Sequence, residues 1–148
     1  MKRVLALLSL LACGDDAPTD LADASVEDDG FMGCPADVPQ LALNNEARGK
    51  TITASVVAAS RVPARRYLND WTFAFRDAAG NALNDVTIAT ARTWMPVHGH
   101  DGLVMPQLLG AQVRRLNFNM RGPWEVQLSL RSASAGTDDV VFHVCIAE

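Results

Sequence analysis

The sequence lacks the motifs that identify several large classes of enzyme. It has no Gly-x-Ser-x-Gly elbow, no His-Glu-x-x-His motif and no glycine-rich phosphate loop. Its scattered serines have no plausible general base beyond the two histidines of one short stretch, His98 and His100. We therefore expect no enzymatic activity from this chain.

Helical periodicity and internal repeats are also absent after residue 34. The sequence consists instead of short runs separated by turn residues. Each run is either rich in β-branched residues or alternates apolar and polar residues. This pattern predicts an all-β fold, an immunoglobulin-like antiparallel β-sandwich of about seven strands. Trp71 is expected at its centre, with Trp94 and Trp124 also in the core. The clearest predicted strands are residues 51–60, 71–75, 86–92, 116–120, 124–130 and 140–146.

The chain has no apolar run long enough for a permanent membrane helix. Lys2 and Arg3 precede a short apolar run over residues 4–12, which is typical of a secretory signal peptide. Residues 10–13, Leu-Leu-Ala-Cys, resemble the bacterial lipobox. The resemblance implies cleavage before Cys13, a diacylglyceryl thioether on its sulfur and an acyl group on its new amino terminus. A plain secretory peptide with a chance cysteine is the alternative.

Residues 14–33 contain seven acidic residues and no basic ones. Such a segment buries too little apolar surface to offset its ordering entropy, so it is expected to be a disordered spacer. The predicted organisation is a signal peptide over residues 1–12, lipidated Cys13 and an acidic linker over residues 13–33, and a β-sandwich domain over residues 34–148. We expect an exported protein anchored by lipid at the periplasmic face of a membrane, with the outer membrane favoured. The resemblance to lipoproteins implies a retention rule for the inner membrane that requires Asp after the lipidated cysteine; Gly14 stands there, and Asp15 one place later leaves the choice of membrane open.

The acidity of the whole chain, net −4, belongs to this linker, and residues 34–148 carry 11 basic and 10 acidic residues. The basic pairs Arg65-Arg66 and Arg114-Arg115 have no interleaved aromatic residues, so they are interpreted as solvated strand edges. Nucleic acid is therefore not expected as a partner. The expected partners are the membrane, through the lipid, and an envelope protein. The sequence does not determine the oligomeric state.

Only three cysteines are present, and Cys13 is assigned to the lipid. Cys34 and Cys145 remain at the two ends of the domain, and in an oxidising exported compartment a disulfide is the default for such a pair. Closing a loop of this length stabilises a fold by up to about 4–5 kcal/mol. The alternative is that one of the two is a thiolate ligand of a metal.

Residues 94–106, Trp-Met-Pro-Val-His-Gly-His-Asp-Gly-Leu-Val-Met-Pro, hold two of the three histidines and two of the five methionines. His98 and His100 flank Gly99, and residues two apart in extended backbone face the same side. Thioether sulfur is the soft ligand that selects Cu(I), so His98, His100 and Met105, with Met95 and Met120, form a candidate copper site. The alternative is that Met95 and Met120 fill the core and the histidines are exposed turn residues.

Three segments in order resemble the YtkA-like domain, which is related to the FixH-like proteins. They are residues 77–86, Asp-Ala-Ala-Gly-Asn-Ala-Leu-Asn-Asp-Val; residues 95–100, Met-Pro-Val-His-Gly-His; and residues 120–126, Met-Arg-Gly-Pro-Trp-Glu-Val. The resemblance extends over residues 70–144. It implies a small exported or membrane-attached β-sandwich with no established enzymatic activity. It also implies a link to copper, through the methionine and histidine of the second segment and through the family's association with proteins of respiratory oxidase assembly. The family often has methionine where this chain has His98, and FixH-like proteins keep a transmembrane anchor.

Two functions from different classes follow. The first is a lipid-anchored envelope protein that binds or handles copper through residues 94–106. The second is a non-catalytic protein-interaction module that binds an envelope partner through the same loop or through its strand edges, without a metal.

Overall fold

The computed structural model describes residues 33–148, and these residues form ten β-strands and no helix. The described part of the chain accordingly contains no helix that could cross a membrane. The predicted signal peptide, Cys13 and residues 14–32 of the linker lie outside it. The strands are β1 (Glu46–Arg48), β2 (Ile52–Ala59), β3 (Tyr67–Asp77), β4 (Ala82–Leu83), β5 (Thr87–Met95), β6 (His100–Asp101), β7 (Gln107–Leu109), β8 (Gln112–Phe118), β9 (Gly122–Ser132) and β10 (Gly136–Ile146).

The strands form two antiparallel sheets. One has the order β1-β2-β3-β8-β7, with β4 paired to β3, and the other has the order β10-β9-β5-β6. The orders β2-β3-β8-β7 and β10-β9-β5 match the ABED and GFC sheets of the immunoglobulin fold. The predicted immunoglobulin-like sandwich is therefore confirmed. The predicted number of about seven strands is too low, because β1, β4, β6 and β7 have only two or three residues each and show no alternation in the sequence.

Alternating side chains from the two sheets meet in one core. Trp71 of β3 is fully buried, and its ring centroid lies 6.0 Å from that of Phe118 and 6.1 Å from that of Phe142 in the facing sheet. β9 buries every second residue from Gly122 to Leu130, including Trp124. The core positions predicted for Trp71 and Trp124 are confirmed.

The core position predicted for Trp94 is wrong. A bulge in β5, between Ile88 and Thr90, shifts its register against β9. One extra residue reverses which side chains face inward. The later part of β5 consequently buries Thr93 and Met95 and turns Trp94 outward. There the Arg92 guanidinium lies 4.2 Å from the Trp94 ring centroid, a cation–π contact on the outer face.

The predicted disulfide between Cys34 and Cys145 is present, with its two Cα atoms 5.6 Å apart and 111 residues between them in sequence. It ties the segment before β1 to the end of β10. The Cys145 amide also donates a hydrogen bond of 2.8 Å to the Pro39 carbonyl. With both sulfurs in the disulfide, neither cysteine is a thiolate ligand, and that alternative is excluded.

A carboxylate connects the two sheets at the opposite end of the sandwich. Asp138 of β10 is 7% exposed and accepts backbone hydrogen bonds from Lys50, Thr51 and Ile52 at 3.0, 2.7 and 2.8 Å. Burial raises the pKa of Asp138, but these amides, with that of Asp139, outweigh it and lower the pKa to about 2. A Cβ on Gly49 would lie 2.3 Å from an Asp138 oxygen, so only glycine fits at this turn. No sequence pattern predicted this contact.

The interpretation of the arginine pairs as strand edges is also wrong. Arg114 and Arg115 lie on β8, which has β3 on one side and β7 on the other. The Arg114 side chain is 3.4 Å from Asp70, and the Arg115 amide donates to the same carboxylate at 2.9 Å. Arg65 and Arg66 lie in the loop between β2 and β3.

Candidate metal-binding site

The two histidines of residues 94–106 lie on a tight β-hairpin between β5 and β6. Met95 pairs with His100, and the Met95 carbonyl accepts hydrogen bonds from the His98 and Gly99 amides at 3.3 and 2.8 Å. Gly99 has φ 66°, a left-handed conformation that glycine adopts without strain. This turn allows the chain to reverse within residues 96–99 and return as β6. The predicted loop is thus the end of one strand, a turn and a second short strand.

The hairpin brings the His98 and His100 rings side by side. Their centroids are 6.0 Å apart and their planes differ by 32°. His98 is exposed and His100 is half-buried. A metal ion lies about 2 Å from an imidazole nitrogen that binds it, so two rings at this separation are close enough to share one ion. The hypothesis that the two histidines converge is consistent with this geometry.

The orientation of His100 leaves one ring nitrogen available as a ligand. Its Nδ1 lies 2.8 Å from the Asp101 carbonyl oxygen. A carbonyl oxygen can only accept a hydrogen bond, so Nδ1 carries the hydrogen and is the donor. In that tautomer Nε2 has a free lone pair, which is the state of a histidine that binds a metal through Nε2.

The indole of Trp124 fixes the ring of His100 from the other side. The two rings meet edge to face, with centroids 5.7 Å apart and planes at 73°. Trp124 is itself 1% exposed, and its Nε1 donates a hydrogen bond of 3.0 Å to the Met120 carbonyl. Because Trp124 belongs to the core, His100 is held by the rigid part of the fold.

Asp101 is engaged by an arginine and is not a free third ligand. The Arg92 Nε donates to an Asp101 carboxylate oxygen, and this hydrogen bond raises the pKa of Arg92. Within residues 33–148, no group of three or more histidine, cysteine, aspartate or glutamate side chains is placed to hold a metal. Any further side-chain ligand for an ion at His98 and His100 would therefore come from methionine.

The three candidate methionines occupy different environments. Met95 is 1% exposed and packs in the core, where its methyl group would lie 2.8 Å from a Cβ on Gly122. Met120 is half-buried against the core, and Met105 is 86% exposed. Met95 therefore serves as core filling, as the alternative interpretation predicted, and we leave it out of the candidate site. Met105, as an exposed side chain, and Met120, as a partly buried one, remain as candidate ligands.

Large apolar side chains surround the hairpin on the surface. Val97 is 70% exposed and Leu103 is 80% exposed, in addition to Met105. The backbone at Leu103 is nevertheless fixed, because the Gly102 amide donates to the Thr93 carbonyl at 3.0 Å and the Leu103 amide donates to Asn117 Oδ1 at 2.8 Å. Exposed apolar side chains on a fixed backbone are typical of a contact surface.

The third histidine lies apart from this site. His143 is on the outer face of β10, where its Nδ1 is 3.9 Å from the Glu125 carboxylate. A cleft of about 810 Å³ lies at the Asp138 end of the sandwich, and its lining contains neither histidines nor methionines. Its lining includes Arg48, Lys50 and Arg131.

No protein-family model, no curated protein and no solved structure matches this chain. The resemblance of residues 70–144 to the YtkA-like domain stays a prediction, and the functional assignment depends on the geometry of His98, His100 and their neighbours.

Proposed function

We propose that this chain is an exported protein, anchored to the cell envelope by a lipid on Cys13, whose β-sandwich binds copper through His98 and His100. One observation carries the proposal: the two imidazole rings lie 6.0 Å apart, and the Nδ1 of His100 is committed to the Asp101 carbonyl. The protein contributes two imidazole nitrogen ligands, and the ring of His100 is already oriented.

Copper is favoured over other metals by the available donors. Imidazole nitrogen and thioether sulfur together suit copper, and zinc sites require more thiolate, imidazole or carboxylate ligands than the hairpin offers. Cys34 and Cys145 are joined in a disulfide and offer no thiolate. Met105 and Met120 offer thioether sulfur, which is the soft donor that Cu(I) prefers. We propose Met105 as the third ligand, because its side chain is the more exposed and can adapt to an ion at the surface.

The exposure of this site suits transfer of the ion to a partner. His98 is exposed, and Met105 is 86% exposed, so a second protein can approach the bound ion directly. A site with two or three ligands at the surface holds an ion less tightly than a closed site with four. We therefore propose that the protein handles copper as a carrier or accessory protein and carries out no chemistry on it.

The test is a competition for Cu(I) between a chromogenic chelator and the oxidised chain of residues 14–148. The double variant His98→Ala, His100→Ala should lose at least about tenfold in affinity, which corresponds to about 1.4 kcal/mol of binding free energy. His143→Ala is the matched control, because it removes the third histidine from the outer face of β10. Equal Cu(I) affinity in the wild type and the double variant would overturn the copper proposal. Mass spectrometry of the chain isolated from membranes tests the lipid on Cys13 separately.

A second candidate is a protein-interaction module without a metal. The observation that favours it is the exposure of three apolar side chains in and after the hairpin, Val97, Leu103 and Met105. A photo-crosslinking residue at Val97 should then capture an envelope protein, whereas the same residue at Val141, on the outer face of β10, should not. Capture that persists in the His98→Ala, His100→Ala variant and without copper favours this candidate over the first.

A further inference from the structure

The linker enters the folded domain at the end of the sandwich that also carries the loop between β2 and β3. Cys34 follows the linker and is bonded to Cys145. Three residues after Cys145, the Glu148 carbonyl accepts a hydrogen bond of 2.8 Å from the Arg66 amide, and the Glu148 carboxylate lies 3.6 Å from Arg65. We name residues 61–68, Arg-Val-Pro-Ala-Arg-Arg-Tyr-Leu, the arginine loop; they comprise the last six residues of the loop between β2 and β3 and the first two of β3.

The arginine loop presents cationic and apolar side chains together. Arg61 and Arg65 are exposed, and Arg66 is half-buried. Between and beside them, Val62 is 49% exposed, Tyr67 60% and Leu68 44%. Glu148 offsets part of the charge through its pair with Arg65, which leaves a cationic surface. Arginine with tyrosine and aliphatic residues is the composition that binds the headgroup region of a membrane.

The loop is a fixed structure whose shape depends on one buried amide. Asn69 is fully buried; its Oδ1 accepts from the Arg65 amide at 3.3 Å, and its Nδ2 donates to the Arg65 and Tyr67 carbonyls at 2.7 and 3.1 Å. Ala64 is buried in the core below the loop. The Arg66 guanidinium donates to the Asn119 carbonyl at 3.1 Å and lies 5.3 Å from the Tyr67 ring centroid. The exposed side chains are therefore displayed from a backbone that needs little ordering on binding.

We propose that the arginine loop docks the domain on an anionic phospholipid surface. The inference rests on the proposed anchor at Cys13, because the 20 residues between Cys13 and Cys34 can span at most about 70 Å and so keep the domain near the membrane. The end of the sandwich where the linker enters is then the end nearest the lipid. Each arginine near an anionic surface strengthens binding by about fivefold. The membrane thus supplies both the anchor and a second, electrostatic contact, and the second contact orients the sandwich.

Vesicle flotation of the unlipidated chain, residues 14–148, tests this docking directly. This chain retains the disulfide, all ten strands and the core, since all of these lie within residues 33–148. It should float with vesicles that contain phosphatidylglycerol, should not float with pure phosphatidylcholine vesicles, and should be released by high salt. The variant Arg61→Gln, Arg65→Gln should bind about 25-fold more weakly, from about fivefold for each arginine.

Arg48→Gln, Arg131→Gln is the matched control, because it removes the same charge from the Asp138 end of the sandwich. It should float as the wild type does. Absence of flotation with phosphatidylglycerol, equal flotation on neutral vesicles, or an equal loss in both double variants would each overturn the proposal. The measurement uses no lipid on Cys13 and no copper, so its result is independent of both parts of the proposed function.

Discussion

The His100 imidazole meets the Trp124 indole edge to face, with ring centroids 5.7 Å apart, and so couples the candidate copper ligand to a tryptophan of the core. Trp124 cannot turn away, because it is 1% exposed and its Nε1 is bonded to the Met120 carbonyl. The Trp124 indole therefore keeps its position beside His100, and its environment changes when the His100 ring is altered or binds a ligand.

Tryptophan fluorescence should report metal binding through this contact. Cu(II) bound at His98 and His100 should quench the emission of Trp124, because a paramagnetic ion would then lie within a few ångströms of the indole. His100→Ala should remove the quenching at low copper concentrations, and Trp124→Phe should reduce it without removing binding. His143→Ala should leave the titration unchanged, and quenching of equal size in His100→Ala would contradict the assignment.

Met95 and Met105 should respond to substitution in opposite ways. Met95→Ala removes a buried side chain and should lower the free energy of unfolding by about 2–5 kcal/mol. Met105→Ala changes an exposed side chain and should alter it by less than about 0.5 kcal/mol. Urea denaturation measures both effects. The effects on Cu(I) affinity should be the opposite. Folded Met105→Ala should bind Cu(I) more weakly than the wild type, and folded Met95→Ala should bind it equally well.

Asp138 should make stability depend on pH in the acid range. Its pKa of about 2 in the folded chain lies below its ordinary value of 3.8, so the ionised carboxylate stabilises the fold above about pH 4. This contribution, about 2 kcal/mol, should be lost as the pH falls from about 4 towards 2. Asp138→Asn should lower stability at neutral pH and flatten this part of the profile. Asp139→Asn, on the exposed face beside it, should retain the dependence in denaturation measured from pH 2 to 7.

Reduction of the disulfide should destabilise the domain by up to about 4–5 kcal/mol, since the bond between Cys34 and Cys145 closes a loop of 111 residues. Chemical denaturation with and without dithiothreitol measures the difference. The variant Cys34→Ala, Cys145→Ala should resemble the reduced wild type and should not respond to the reductant. A reductant effect in that variant would show that the loss arises elsewhere.

The sequence predicted the features that follow from the alternation of apolar and polar residues within a strand. The alternation of β9 placed Trp124 in the core, and the run from Trp71 to Phe75 predicted the inner face of β3. The close approach of His98 and His100 was also expected from their spacing, although a turn at Gly99 produces it in place of an extended strand.

Features that depend on distant partners were not predictable. The bulge between Ile88 and Thr90 forms against β9, and it reverses the inward positions so that Met95 is buried in the core and Trp94 is only half-buried. The partners of Asp138 lie 86 to 88 residues earlier in the chain, and no local pattern indicates them. Both features exist only once the strands have paired.

Both ends of the unpaired edge of β10 are in contact with other parts of the chain. β10 has eleven residues and ends one sheet, whereas the other terminal strands, β1, β6 and β7, have two or three residues each. A long unpaired edge is where a second molecule can add a strand and start aggregation. Asp138 holds the turn before β2 against one end of β10, and the Pro39 carbonyl, beside the disulfide, occupies the Cys145 amide at the other. The segment that leads from the linker into the sandwich thus occupies the Cys145 end of the longest edge strand, so a second molecule cannot pair with the Cys145 amide.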